Sequence, residues 1–233
     1  MNLAQNLFIA KKLLSELIYN HAYVEGCNVT FPQAETILEG MKVSNVSVND
    51  IQTVINLRDA YRFVLGQIEE AGGPVIDLDY ICEVHSNVSR NEAIAWGSLR
   101  TGRVGVSGTT YEPPIPEEGE VIEYLKNINE IDNPLERAVT YFISSTKRQL
   151  FWDGNKRVAI IVANAILISN GCGVFSINED NTERYNELLK SFYDSDETGM
   201  DLEEPISEEF SVFIKDQIEA SIARFSFNVE MKI

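Results

Sequence analysis

Apolar positions along this chain recur mostly at helical spacing. Leu3, Leu7, Leu14, Leu17 and Ile18 share one face, with Lys11, Lys12 and Glu16 largely on the other, which predicts a first helix ending near Gly26. Thr30-Phe31-Pro32-Gln33 reads as a capping box opening a helix over about 31–39. Ser47 offers an N-cap before a long helix carrying Ile51, Val54, Ile55, Leu57, Tyr61 and Val64, which Ala71-Gly72-Gly73-Pro74 should stop. Asp77 caps a helix through His85, and further helices are expected at about 117–129, 134–147 (Asn133 as cap, Pro134 at the first position), 180–193 and 207–224. One stretch departs from this period. Leu99 to Tyr111 alternates in period two, is rich in glycine and β-branched residues, and runs into Glu112-Pro113-Pro114-Ile115-Pro116, which predicts a small β-hairpin. Val158 to Ile168 is apolar all round except Asn164, so that helix should lie at the centre of a bundle. The expected fold class is all-α, a helical bundle around a buried central helix with one hairpin.

Composition narrows the function without naming it. With 44% apolar and 24% charged residues over 233 positions, the chain has enough apolar material for one large core. Its 36 acidic against 19 basic residues, net −17, argue against coating nucleic acid, because phosphate would be repelled. No apolar run approaches the roughly 20 residues of a membrane span. The opening MNLAQNLFIAKKLL lacks a signal-peptide pattern. Cys27, Cys82 and Cys172 are odd in number and far apart, no Cys-x-x-Cys occurs and only two histidines are present. A structural zinc site is therefore not expected, and a reducing cytoplasmic location is.

The chemistry concentrates at Phe151-Trp152-Asp153-Gly154-Asn155-Lys156-Arg157, just before the buried helix. A helix N-terminus presents unpaired N–H groups and a partial positive charge. Gly154 permits close backbone approach, the amides of Gly154, Asn155 and Lys156 can form a phosphate nest, and Lys156 and Arg157 add full charges. Asp153 can hold Mg²⁺, which binds through one or two carboxylates plus phosphate oxygens. Lys147, Arg148, Arg100 and Arg103 add to a local basic cluster in an acidic protein, which points to an anionic ligand. Alone, the heptapeptide is equally compatible with a solvated turn.

The loop resembles the Fic (Fido) family motif HPFx(D/E)GN(G/K)R, at Phe151, Asp153, Gly154, Asn155, Lys156 and Arg157. The stretch from Gly97 to Pro116 is similar to that family's target-docking flap and proline turn, and Val24 to Thr30 is similar to its inhibitory helix, (S/T)xxxE(G/N). The resemblance implies N-terminal helices with the inhibitory-like segment over 1–70, a Fic-like core over 71–200 and a C-terminal helix over 201–233. It implies transfer of AMP from ATP, or another nucleotide, to a target-protein hydroxyl. Asp153 would bind Mg²⁺, Gly154, Asn155, Lys156 and Arg157 the phosphates, and Tyr193 the adenine, although a tyrosine there is also ordinary core. The flap residues Arg103, Val104, Gly105, Val106, Ser107 and Gly108 would align a target protein by strand addition.

Four positions depart from the pattern. The family's His and Pro are Gln149 and Leu150 here, so the general base is absent; an amide orients a hydroxyl but cannot take its proton near neutrality. A second Arg carried by many members is Ile160, and the small residue four before the inhibitory Glu is His21. Glu25 is thus either an inhibitory carboxylate or a helix-end residue, and His85 is expected to be packed rather than catalytic. Three readings follow: a nucleotide–Mg²⁺ site with impaired transfer, a non-enzymatic nucleotide-sensing or interaction module, and use of another phosphoryl donor.

Overall fold

A computed structural model describes residues 1–195 and 207–230, with side chains described to Arg224. Among the described residues ten helices follow one another: α1 (Leu3–Lys12), α2 (Leu14–Val24), α3 (Phe31–Leu38), α4 (Val48–Ala71), α5 (Leu78–Val88), α6 (Glu118–Asn129), α7 (Pro134–Arg148), α8 (Asn155–Ser169), α9 (Glu179–Asp194) and α10 (Glu208–Glu230). The expected first helix is two, because Leu13 leaves helical geometry (φ −90°, ψ 2°) and the chain restarts as α2. The caps act as the sequence predicts: Gln33 Oε1 accepts from the Thr30 N–H at 2.9 Å, and Asp77 accepts from the Tyr80 N–H at 2.8 Å. Positions 201–206 and 231–233 of the expected C-terminal helix lie outside the described residues.

Helix α8 is the axis of the bundle. All its residues from Val158 to Ile168 are buried, and it packs chiefly on α7, then on α4, α5 and α1. Its one polar exception has a task. Asn164 Nδ2 donates to Phe175 O at 2.8 Å and to the Tyr61 hydroxyl at 3.0 Å, while its Oδ1 accepts from the Phe175 N–H at 2.7 Å. That pair of bonds to one backbone residue holds the segment after α8 against the core, where unpaired peptide groups would be costly.

The hairpin expected over 99–111 is not formed, and no strand occurs among the described residues. The segment is an extended loop whose local backbone bond is a turn, Thr109 N–H to Val106 O at 3.2 Å. The reason lies in its composition. Gly102, Gly105 and Gly108 leave few side chains for cross-strand pairs, and two strands without a third or a packed face are marginal in water. Among the described residues no helix is long and apolar enough to cross a membrane.

Candidate functional site

The loop between α7 and α8 is built from two left-handed residues and one asparagine. Helix α7 ends at Gln149 (φ 46°, ψ 58°), and α8 is entered through Gly154 (φ 75°). Left-handed geometry is strained for a residue with a Cβ. At Gly154 even the space is lacking, since a Cβ would run into Ser89 Oγ and stand 3.1 Å from Val88. Asn155 closes the loop on itself: its Oδ1 accepts from the Phe151 N–H at 2.8 Å and its Nδ2 donates to Phe151 O at 2.8 Å and to Gln149 Oε1 at 3.0 Å. His85 supports the loop from below. Its Nδ1 accepts from the Gly97 N–H at 3.1 Å, which leaves the proton on Nε2, 3.1 Å from Asp153 O. The ring stacks on Phe151 (centroids 3.9 Å), and burial pulls its pKa down to about 4. His85 is packed, as expected.

Gln149, at the position of the family's histidine, is fully engaged. Its Nε2 donates to Thr146 O at 2.8 Å and to the Tyr193 hydroxyl at 3.0 Å, while its Oε1 accepts from Asn155. Tyr193 in turn donates to Thr146 O at 3.1 Å and lies on Tyr111 (centroids 5.8 Å). Burial raises the Tyr193 pKa further above its ordinary value. The residue borders the cavity as a brace for Gln149.

The charges around the loop are arranged differently from the sequence expectation. Lys156 Nζ lies 3.2 Å from Glu25 Oε1, and Glu25 Oε2 lies 3.8 Å from Arg157 Nε. Glu25 also ends α2, with its backbone N–H on His21 O at 3.2 Å, so it serves as helix end and as charge partner at once. Arg157 is turned inward, its side chain 5% exposed, and pairs with Glu92 while donating to Val88 O at 3.2 Å. Burial works against its charge, but Glu25, then Glu92 and Asp153, more than offset it and hold the guanidinium above its ordinary pKa. Glu92 was not apparent in the sequence. It follows α5 in no motif, and accepts from Thr53 Oγ1 at 2.9 Å and Asn56 Nδ2 at 3.0 Å on α4. Only proximity in the fold identifies it.

Other members of the expected basic cluster also turn away from a ligand. Lys147 is buried with its Nζ donating to Phe192 O (2.6 Å) and Ser195 O (3.0 Å), and Arg148 lies over the Tyr124 ring at 3.9 Å. Arg100 is buried among backbone carbonyls, and Arg103 is exposed on the loop. The cations that do line the open space are Lys156 and Lys190.

That space is a cavity of about 540 Å³ between the 104–109 loop and the α8 N-terminus, lined also by Glu25, Gln149, Trp152, Asp153 and Tyr193. Its size suits a small-molecule ligand. Val158 is the first α8 residue to bond within the ladder (to Gly154 O, 2.9 Å), so the N–H groups of Asn155, Lys156 and Arg157 precede it. The Gly154 N–H is already taken by Asp153 Oδ1 at 2.6 Å, which shortens the expected nest by one amide. The Asp153 carboxylate is 59% exposed, with Oδ2 3.6 Å from Arg157 Nη2. One exposed carboxylate beside an anion site fits Mg²⁺ delivered with phosphate oxygens. Among the described residues no group of three or more His, Cys, Asp or Glu could cage a metal alone.

Residues 75–167 match the family model described as the Fic/DOC family, a span that contains the loop, its supports from α5 and most of α8. The chain is 30% identical over 164 residues to protein adenylyltransferase fic-1 from Caenorhabditis elegans, which covers 66% of this chain and 32% of the relative. It is 28% identical over 193 residues to protein adenylyltransferase Fic from Nematostella vectensis, covering 77% of this chain and 44% of that protein. It thus spans less than half of the length of these curated relatives, 32% of one and 44% of the other. The solved structure of Fic-1 from C. elegans superposes with a TM-score of 0.75 at 23% identity, over 97% of this chain and 67% of that one, and so shares the fold. Residues 75–167, which hold the motif loop at the head of the central helix, match the Fic/DOC family, and the chain shares the fold of the solved C. elegans Fic-1 structure.

Proposed function

We propose that this protein binds a nucleoside di- or triphosphate with Mg²⁺ at the α8 N-terminus, and that its capacity to transfer AMP to a target-protein hydroxyl is impaired. One observation carries the proposal: free helical N–H groups, Lys156 and an exposed Asp153 face a ligand-sized cavity, while the position of the general base holds an amide whose hydrogen-bonding groups are all in use. Phosphate oxygens are held by the Asn155 and Lys156 amides and by the Lys156 ammonium. The bound metal supplies charge neutralisation of the phosphates, with Asp153 as its protein ligand. Arg157 acts from behind the loop, keeping Glu25 and Asp153 in place rather than touching phosphate.

Proton removal is the missing part. General-base catalysis contributes ~10²–10⁴-fold, and Gln149 cannot supply it. The relatives named adenylyltransferases support AMP transfer as the ancestral chemistry, with a protein segment docking along Arg103, Val104, Gly105, Val106, Ser107 and Gly108. Those residues are unpaired as a strand and open to one. The bonded state of Gln149 also supports a second function, a nucleotide sensor that displays the loop to a partner without chemistry.

Calorimetric titration with ATP and Mg²⁺, and transfer from labelled ATP, test the proposal together. Binding that weakens in Asp153→Ala, with little transfer by the native chain and measurable transfer by Gln149→His, is the expected result. Robust transfer by the native chain refutes impaired catalysis, and no binding at millimolar nucleotide refutes the site. Binding without transfer in either form selects the sensor.

A further inference from the structure

The loop over the cavity leaves the fold at Gly102 and returns at Pro113-Pro114, and both ends meet at one buried arginine. Arg100 is 1% exposed, and its guanidinium is satisfied by carbonyls. Nε donates to Gln149 O at 2.6 Å, Nη1 to Gly102 O at 2.6 Å, and Nη2 to Pro113 O at 3.3 Å and to Pro114 O. Its own backbone N–H donates to Leu150 O at 3.0 Å. A buried cation is tolerated only when its donors are met, and the rigid fork of a guanidinium can reach several acceptors that an ammonium cannot. Beside it, the entry of the loop rests on Trp152: a Cβ at Gly102 would stand 2.5 Å from the indole Cη2.

From this juxtaposition we infer that Arg100 is a positioning residue, which clasps both ends of the 102–114 loop to the backbone of Gln149 and Leu150. It sets the height of the loop above the α8 N-terminus, so that whatever docks on the loop is held in register with whatever sits at the helix. The carbonyl it holds belongs to the left-handed Gln149, so the clasp also fixes the residue at the position of the general base. Register between two ligands rests on the function proposed above; the clasp itself does not.

The protein has two tryptophans, Trp96 and Trp152, so Trp96→Phe leaves Trp152 as the sole indole and a reporter of the loop. In that background Arg100→Met is expected to raise acrylamide quenching of Trp152 severalfold with far-UV helicity unchanged, because local opening needs no helix to melt. Methylguanidinium added to Arg100→Ala is expected to lower the quenching again, a rescue that a general packing defect would not show. If the Met variant does not fold, Arg100→Lys keeps the charge, and faster hydrogen exchange over 102–111 is expected there. Unchanged quenching in a folded Met variant, or unchanged exchange in the Lys variant, overturns the inference. Nucleotide binding is read separately: an unmodified protein that binds none refutes the proposed function, while the quenching still judges Arg100.

Discussion

Replacing Asn155 with alanine removes the side chain that closes the loop. Three hydrogen bonds go, of which two serve the backbone of Phe151, a residue only 2% exposed. The third partner, Gln149 Oε1, borders the cavity and can turn to water at little cost. Each buried backbone group left unpaired costs ~1–3 kcal/mol. Alanine recovers roughly 0.5 kcal/mol in helix propensity at the start of α8. The expected net loss is therefore about 3 kcal/mol. For a chain of this size a urea slope near 3 kcal/mol/M converts that into a fall of about 1 M in the unfolding midpoint. Asn155→Asp keeps an acceptor for the Phe151 N–H and adds a favourable charge at a helix N-terminus, so it should lose markedly less. Urea titrations followed by circular dichroism measure both. A loss below about 1 kcal/mol for the alanine variant would refute the reasoning, because the Phe151 groups would then be finding water and the loop would not depend on Asn155.

Glu92→Gln should cost about 2 kcal/mol by the same titration, less than the 3–5 of a fully broken buried pair, because Glu25 and Asp153 remain within 4 Å of Arg157. An unchanged midpoint would show that Arg157 does not need Glu92. Glu25→Gly should strengthen nucleotide binding by calorimetry, since its carboxylate stands between Lys156 and Arg157 and opposes phosphate; an unchanged isotherm would leave Glu25 as the end of α2. His21 is buried, with burial lowering its pKa from 6.5 to about 3, so between those values the unfolded chain binds the extra proton and stability falls as the pH drops below 6.5. At pH 5 this amounts to about 2 kcal/mol, at 1.36 kcal/mol per pH unit. His21→Phe should flatten the thermal-stability profile by that much between pH 7 and 5, and parallel profiles would refute it.

Helix identity was legible because its causes are local. The capping box at Thr30 and Gln33, the Asp77 cap and the apolar run of α8, interrupted by Asn164 alone, each act within a few residues, and each is found where the pattern placed it. The break at Leu13 was not legible, since no glycine or proline marks it. The 99–111 segment misled for a physical reason: alternation marks a chain able to be a strand, whereas a strand exists only with a partner, and this one has none among the described residues. The motif loop could be located from residues 149–157 alone, since glycine, carboxylate and cations adjoin in sequence. Which way its charges face could not. Arg157 turns inward because Glu92 lies 65 residues away on its inner side, and Arg100 is held by carbonyls 2, 13, 14 and 49 residues distant. By itself the sequence determined most helices, the buried axis and the place of the motif loop, all properties of backbone period and local capping. The tertiary structure alone decided which charges line the cavity and which are neutralised by one another, because a side chain's electrostatic partners are set by packing between distant segments.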